Sequence, residues 1–207
     1  MKIRTLISVQ IIVSAIFLSC NMEMTKEEKV LINSGTADEP FRVLLTADKQ
    51  DSLILRKKSK MINMEKDAAD LKLLVERLKV TLDVENGVGI AAPQVGILRN
   101  LFIIVRVDKP GMPVETVINP EIVSHSEETV CFESDGCLSI PEISGNSIRY
   151  SWIEVEYFNI DGKKIREKLT GHSRKDNFAA VIFQHEYDHL QGILFVDKLC
   201  KLFNGNF

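Results

Sequence analysis

Cysteine is scarce in this chain: four in 207 residues, too few for a disulfide-stapled scaffold, so each must be judged by its surroundings. Positive charge is not in excess either. A formal net charge of -3 supplies no basic field for gripping nucleic acid, which is therefore not an expected partner. Internal repeats are absent. The glycine-rich stretch over residues 87–96 lacks the Gly-Lys-Ser/Thr ending of a phosphate loop, and a lone Gly-x-Gly is too common to carry that reading. Long apolar runs are missing beyond the N-terminus. The apolar stretch there, over residues 6–18, is too short for a comfortable membrane span.

What is present sorts into three segments. Lys2 and Arg4 precede the apolar stretch, which ends at Ser19-Cys20 before the chain turns polar at Asn21. Residues 1–20 read as a signal peptide of the lipoprotein kind, in which cleavage frees Cys20 to take a lipid and hold the protein at the cell envelope. An uncleaved apolar N-terminus, or a misplaced start, is the alternative, and it leaves the protein in the cytoplasm. Residues 21–40 are polar with little periodicity and are expected to form a flexible tether. Residues 41–207 have the length of one globular domain, and the 45% hydrophobic fraction of the whole chain is that of a globular protein.

Within that domain, residues 41–46 are expected to form a short strand and residues 51–56 an extended or turn segment. Asp67 is placed to cap a helix whose Leu71, Leu74, Val75, Leu78 and Leu82 repeat at helical spacing. That helix should end near Asn86-Gly87. Residues 101–106 read as a buried strand, paired with residues 114–118, and residues 121–132 as extended. Over residues 148–158 the pattern alternates, with Ile153, Val155 and Tyr157 on one face and Trp152, Glu154 and Glu156 on the other. Asp161-Gly162 predicts a hairpin with a strand over residues 164–169. A last helix should start between Ser173 and Asp176 and end at Gln191-Gly192. The order of helix, antiparallel strands and helix predicts an α+β domain with the last helix packed on the sheet.

That last helix carries Gln184-His185-Glu186-Tyr187-Asp188-His189. Residues four apart share a helical face, so His185 and His189 can grip one metal ion while Glu186 reaches a water beside it. Phe178, Val181 and Ile182 fall at the same spacing, which puts both imidazoles on the apolar stripe, where an unpartnered histidine is costly. A catalytic ion of this type needs a third protein ligand. Downstream supply is nearly exhausted: Phe195 stands where a metzincin would have histidine, and no glutamate follows Glu186. Upstream, Cys137 sits between Gly136 and Leu138-Ser139 and is a good donor by chemistry. Spacing alone leaves it open as a ligand, a structural thiol or the disulfide partner of Cys131. Cys131 otherwise reads as a small buried residue, Cys200 has nothing beside it, and His125 and His172 lie outside any glycine turn. Gln94 is the hydrogen-bonding side chain of the run from Gly87, aimed at a ligand or satisfied within a buried turn.

Residues 87–94, 135–139 and 184–189 resemble, in order and separation, the three motifs of the peptide deformylases, and the similarity runs from about Phe41 onward. The resemblance implies a deformylase-like α+β fold, with antiparallel sheets around the C-terminal HExxH helix. It implies removal of the formyl group from N-formyl-methionyl peptides by water activated on one divalent metal ion, Fe(II) first, with Zn(II), Ni(II) or Co(II) as substitutes. Carried over by position, Cys137, His185 and His189 are the metal ligands and Glu186 the general base and acid. The Gln94 amide and the Leu138 backbone N–H would stabilise the oxygen where charge develops. Val88, Phe178, Val181 and Ile182 would line the methionine pocket, and the Gly89 backbone would bond the peptide. Asp135 stands where the family commonly has glutamate, and it is expected to pair with Arg149. The competing readings are an exported homologue that binds formyl-peptides or metal with little turnover, and an HExxH endopeptidase.

Overall fold

The structure is a computed structural model that describes residues 23–175 and 177–200. The segment expected to be a signal peptide lies outside the described residues. The segment expected to be a tether is different. It holds helix α1, Lys26–Ile32, opened by a capping box in which the Thr25 hydroxyl accepts from Glu28 N and the Glu28 carboxylate accepts from Thr25 N. Met24 and Ile32 are buried. Arg77 reaches across to donate to the carbonyls of Ile32 (2.8 Å) and Glu39 (3.0 Å), and its guanidinium stacks on Phe41 at 3.8 Å. Residues 23–40 are therefore part of the folded body: Met24 and Ile32 are buried and Arg77 of the next long helix binds the Ile32 and Glu39 carbonyls, while Val30 and Leu31 stay exposed.

Residues 41–46 form no strand with a sheet; they run as irregular chain tied by Leu44 N to the Gln94 carbonyl at 2.7 Å. Residues expected to be extended form helix α2, Lys49–Leu55, capped by the Asp48 carboxylate. Helix α3, Ala68–Val84, matches its periodicity, but Asp67 does not cap it with its side chain. That carboxylate instead accepts from Met24 N and pairs with Lys29, which ties α1 to the start of α3.

Seven strands follow: β1 (Gly89–Ala91), β2 (Leu101–Val105), β3 (Val114–His125), β4 (Thr129–Cys137), β5 (Ile140–Tyr150), β6 (Trp152–Phe158) and β7 (Lys164–Thr170). They form a five-stranded antiparallel sheet in the order β1-β2-β3-β6-β7 and a separate antiparallel pair, β4-β5. The period-two geometry of β2 explains its unbroken apolar run. Leu101 and Ile103 pack with Leu71, Leu74 and Leu78 of α3, whereas Phe102 and Ile104 pack with Val155, Tyr157 and Phe183 on the other side. The last helix, α4, covers that second face over Ala179–Leu190. It starts at Phe178, later than the Ser173 to Asp176 expectation, because Ser173 is tied to Asn177 in a loop. Phe102 meets Phe183 edge to face at 5.0 Å. The α+β class and the packing of the last helix on the sheet are as expected.

Candidate metal centre

Strand β4 brings the upstream residues to α4 by a bulge. Its pairing with β5 slips between Phe132 and Asp135 and again between Gly136 and Cys137. Ser134 takes a positive φ of 57° there, held by the Asn146 side chain, which accepts from Ser134 N. Two exposed residues, Glu133 and Ser134, thus separate buried Phe132 from buried Asp135, and the strand changes phase. After the slip Asp135 and Cys137 both face inward. A tight turn follows at Leu138-Ser139.

Within α4 the four-residue spacing sets His185 and His189 side by side, with ring centroids 5.1 Å apart. Cys137 Sγ lies 3.3 Å from His189 Nε2. The donor atoms of Cys137, His185 and His189 all lie within 4.8 Å of one another, and all three residues are buried. An ion bound at about 2.3 Å from sulfur and 2.0–2.1 Å from nitrogen spaces its ligand atoms about 3.5 Å apart. The cluster fits such an ion. One thiolate with two imidazoles is also a donor set for a borderline first-row divalent metal.

The supports around these donors are mostly charged. His185 donates through Nδ1–H to Asp135 Oδ1 at 3.0 Å, which leaves its Nε2 for a metal. Burial works against a charged His185, but the Asp135 carboxylate and the Cys137 sulfur outweigh it and hold the imidazole well above its usual range. His189 is pushed well below its usual range, first by burial and then by the positive His185 and Arg149. Arg149, buried, donates to Asp135 at 2.8 Å and to Asp188 at 2.6 Å. The expected Asp135–Arg149 pair is present, and Ser147 adds a hydroxyl donor to the same carboxylate at 2.5 Å. Sequence reasoning missed Asp188 and Ser147. Asp188 could have been found, since it lies three residues after His185 on the face that meets β5.

Glu186 is 4% exposed, and its Oε2 has no protein partner. Burial, helped by the negative Asp135, pushes its carboxyl up to about 7. Gly89 explains how it fits: a β-carbon at that position would meet Glu186 Oε1 at 2.5 Å. Gln94, in a short 3-10 turn over Ala92–Val95, accepts from Ala91 N through Oε1 at 2.8 Å. That contact aims its amide N–H toward Cys137 Sγ (3.6 Å) and Ser139 Oγ (3.3 Å).

A cleft of about 410 Å³ opens on these groups. Val88, Gly89, Gln94, Leu138, Phe178, Val181 and Ile182 all line it, together with Cys137, His185 and Glu186; His189 lies behind. Phe132, Pro141 and Arg174 line it as well and were not anticipated. Among the described residues Cys137 is the free cysteine. Cys131 and Cys200 are joined in a disulfide, so neither the Cys131–Cys137 pairing nor an isolated Cys200 describes the molecule. Cys131 lies on an exposed position of β4, which made it available to the returning C-terminal segment.

Three buried donors that could hold one metal ion, an adjacent carboxylate and an open cleft on an α+β frame suit a metal-dependent hydrolase. Comparison with known proteins narrows that class. The model of the polypeptide deformylase family matches residues 42–204. Peptide deformylase from Thermotoga maritima is 42% identical over 146 residues, 70% of this chain and 81% of that protein. Peptide deformylase 2 from Nostoc sp. is 41% identical over 152 residues, 70% of this chain and 80% of that protein. The crystal structure of the Thermotoga maritima enzyme superposes with a TM-score of 0.67 at 37% identity, covering 78% of this chain and 99% of that one. The Acinetobacter baumannii class I type b peptide deformylase bound to Met-Ala-Ser gives 0.67 at 31% identity, with 78% and 99% covered. The chain belongs to the peptide deformylase family, and its reaction is deformylation.

Proposed function

We propose that this protein hydrolyses N-formyl-methionyl peptides to formate and the free-amine peptide, with Cys137, His185 and His189 holding one divalent ion, Fe(II) in the native enzyme. The observation that carries the reading is the convergence of those three donors with Glu186 and Gln94 at one cleft, lined by all of them except His189, which lies behind. An ion held by Cys137, His185 and His189 would supply Lewis acidity, lowering the pKa of a water and drawing charge from the formyl oxygen.

The rest falls to the chain itself. Val88, Phe178, Val181 and Ile182 bury the methionine side chain, and the Gly89 backbone hydrogen-bonds the peptide. Glu186, through the free Oε2, takes a proton from the water that attacks the formyl carbon. Negative charge then gathers on the former carbonyl oxygen, where the Gln94 Nε2–H and the Leu138 N–H donate. Glu186 returns its proton to the departing amine nitrogen as the C–N bond breaks, so one water is consumed and one formate and one amine are released.

The compartment is part of the proposal. The segment ending at Ser19-Cys20 reads as a lipoprotein signal, and a Cys131–Cys200 disulfide suits an oxidising compartment. We place the enzyme at the cell envelope, attached through a lipid on Cys20. Fractionation should recover it with membranes, released by Cys20→Ser; recovery of full-length, unlipidated protein in the cytosol contradicts this placement. The reaction itself is tested by incubating formyl-Met-Ala-Ser with metal-loaded protein and identifying the products. Formate and Met-Ala-Ser are expected, and cleavage at an internal peptide bond would instead support an endopeptidase.

A further inference from the structure

Arg174 is a charged group in the cleft that the reaction as derived does not use. It lies in the loop between β7 and α4, and that loop is closed on itself. Ser173 N donates to the Asn177 carbonyl at 3.1 Å, and Lys175 N to the Ser173 hydroxyl at 3.2 Å. Gly171 opens the loop at a φ of 102°, in a conformation where a side chain is strained. A β-carbon there would meet the Asn177 carbonyl oxygen at 2.3 Å, so this close return depends on glycine.

The closed loop lays the Arg174 guanidinium over two rings of the cleft wall, Phe132 and Phe178, each at 5.1 Å, and the two rings stack on each other at 5.8 Å. One nitrogen, Nη2, donates to the Ser134 carbonyl at 3.0 Å. Among the described residues no carboxylate forms an ion pair with it. The side chain is exposed, yet two rings and a carbonyl fix it, so little rotamer freedom remains to be lost when it meets an anion. The remaining guanidinium donors have the fork that matches a carboxylate.

Its location decides what that anion is. Phe178 is also a wall of the methionine pocket in the function proposed above, on which this inference rests. A group meeting Arg174 must therefore belong to the peptide close to its methionine. Among the described residues none of the neighbouring carboxylates pairs with it: Asp135 is held by Arg149 and His185, Glu186 is buried, and Glu85 and Glu133, which line clefts together with Arg174, form no ion pair with it. We propose that Arg174 is a specificity-determining residue that recognises a carboxylate carried by the substrate just beyond formyl-methionine. The source is either the α-carboxylate of a short peptide or an acidic side chain. The interaction is the same in the ground state and the transition state, so it acts on KM rather than on kcat.

Two substrate pairs, turned over by metal-loaded full-length protein kept anaerobic, test this. The first is formyl-Met-Ala-Ala as free acid against its C-terminal amide; the second is formyl-Met-Asp-Ala-amide against formyl-Met-Asn-Ala-amide. In at least one pair the anionic member should be favoured about three- to tenfold in kcat/KM, through a lower KM, the range for a single solvent-accessible charge contact. A response in the first pair assigns the α-carboxylate and in the second the side chain. Arg174→Gln should bring the ratio to about one, and Arg174→Glu should invert it. Equal kcat/KM within both pairs, or a preference retained in Arg174→Gln, overturns the inference while the deformylase function stands. Turnover of none of the four overturns that function, and this inference with it.

Discussion

At the scale of single residues the site is a set of ordinary side chains whose chemistry is set by what surrounds them. Asp135 is the clearest case. Burial alone would raise its pKa, but hydrogen bonds and charge from His185, Arg149 and Ser147 hold it well below the usual carboxylate range. It therefore keeps His185 oriented at every physiological pH. Asp135→Asn keeps the shape and loses the charge, and it should weaken metal affinity about 10- to 100-fold, measured by competition with a chelator; unchanged affinity would remove Asp135 from its supporting role. Glu186 is displaced in the opposite sense. Its carboxyl is pushed up from 4.5 to about 7 by burial, so folding favours the protonated acid. That contribution is full below pH 4.5 and is lost as pH rises through 7. In metal-stripped protein, Glu186→Gln should therefore raise stability against denaturant by up to about 3 kcal/mol at pH 8 and by far less at pH 5. An equal effect at both pH values would contradict the assignment. The His185–His189 pair was legible because its four-residue spacing puts both rings on one helical face, whereas spacing left Cys137 open and the Asp135–Arg149 pair came only through the family resemblance; the structure brings these residues together. Ser147 was not legible, since a serine gives no sign in sequence that it will be buried against Asp135, whereas the spacing of Asp188 from His185 marked the face it shares.

At the scale of elements, the legible parts were those with a period. Helix α3, the apolar run of β2 and the alternation of β6 state their partners in their spacing, whereas the bulge in β4 does not, because it depends on Asn146 of the neighbouring strand holding Ser134 at a positive φ. Helix α1 was hidden by composition: a polar segment looked like a tether, although Thr25 and Glu28 spelled a capping box and Met24 and Ile32 were there to bury. The Cys131–Cys200 disulfide was invisible for a different reason, since its partners are 69 residues apart in sequence. It fastens the C-terminal segment beside β5, where Ser147 bridges to Leu199 and Cys200 N donates to the Asn146 carbonyl. On the way Phe195 stacks beside His185, with centroids 6.2 Å apart. Reduction should cost about 2–4 kcal/mol of stability, and Cys200→Ser should show the same loss without reductant. A variant with unaltered stability would show that the segment is held by packing alone.

At the scale of the whole molecule, the sheet sits between α3 and α4, and the two-stranded β4-β5 arm reaches over α4 to complete the site from a second direction. A metal centre built this way cannot be assigned from the helix alone, since HExxH names two ligands and a base and is shared by enzymes that cut internal peptide bonds. In the proposed reading Cys137 as third ligand, the aimed amide of Gln94 and the cleft walls turn the same helix toward a formyl group. The disulfide chemistry is also kept apart from the metal chemistry: the oxidised pair lies at the exposed end of β4, and Cys137, buried at the other end, stays a thiol. The central claim is that Glu186 moves the proton at a metal held by Cys137, His185 and His189. Its most direct test is formate release from a formyl-methionyl peptide by anaerobically purified, metal-loaded wild type and Glu186→Ala, with metal content measured in both. Full metal occupancy in both proteins, with a loss of at least about 100-fold in kcat for Glu186→Ala, is the predicted result; equal turnover by the two would contradict it.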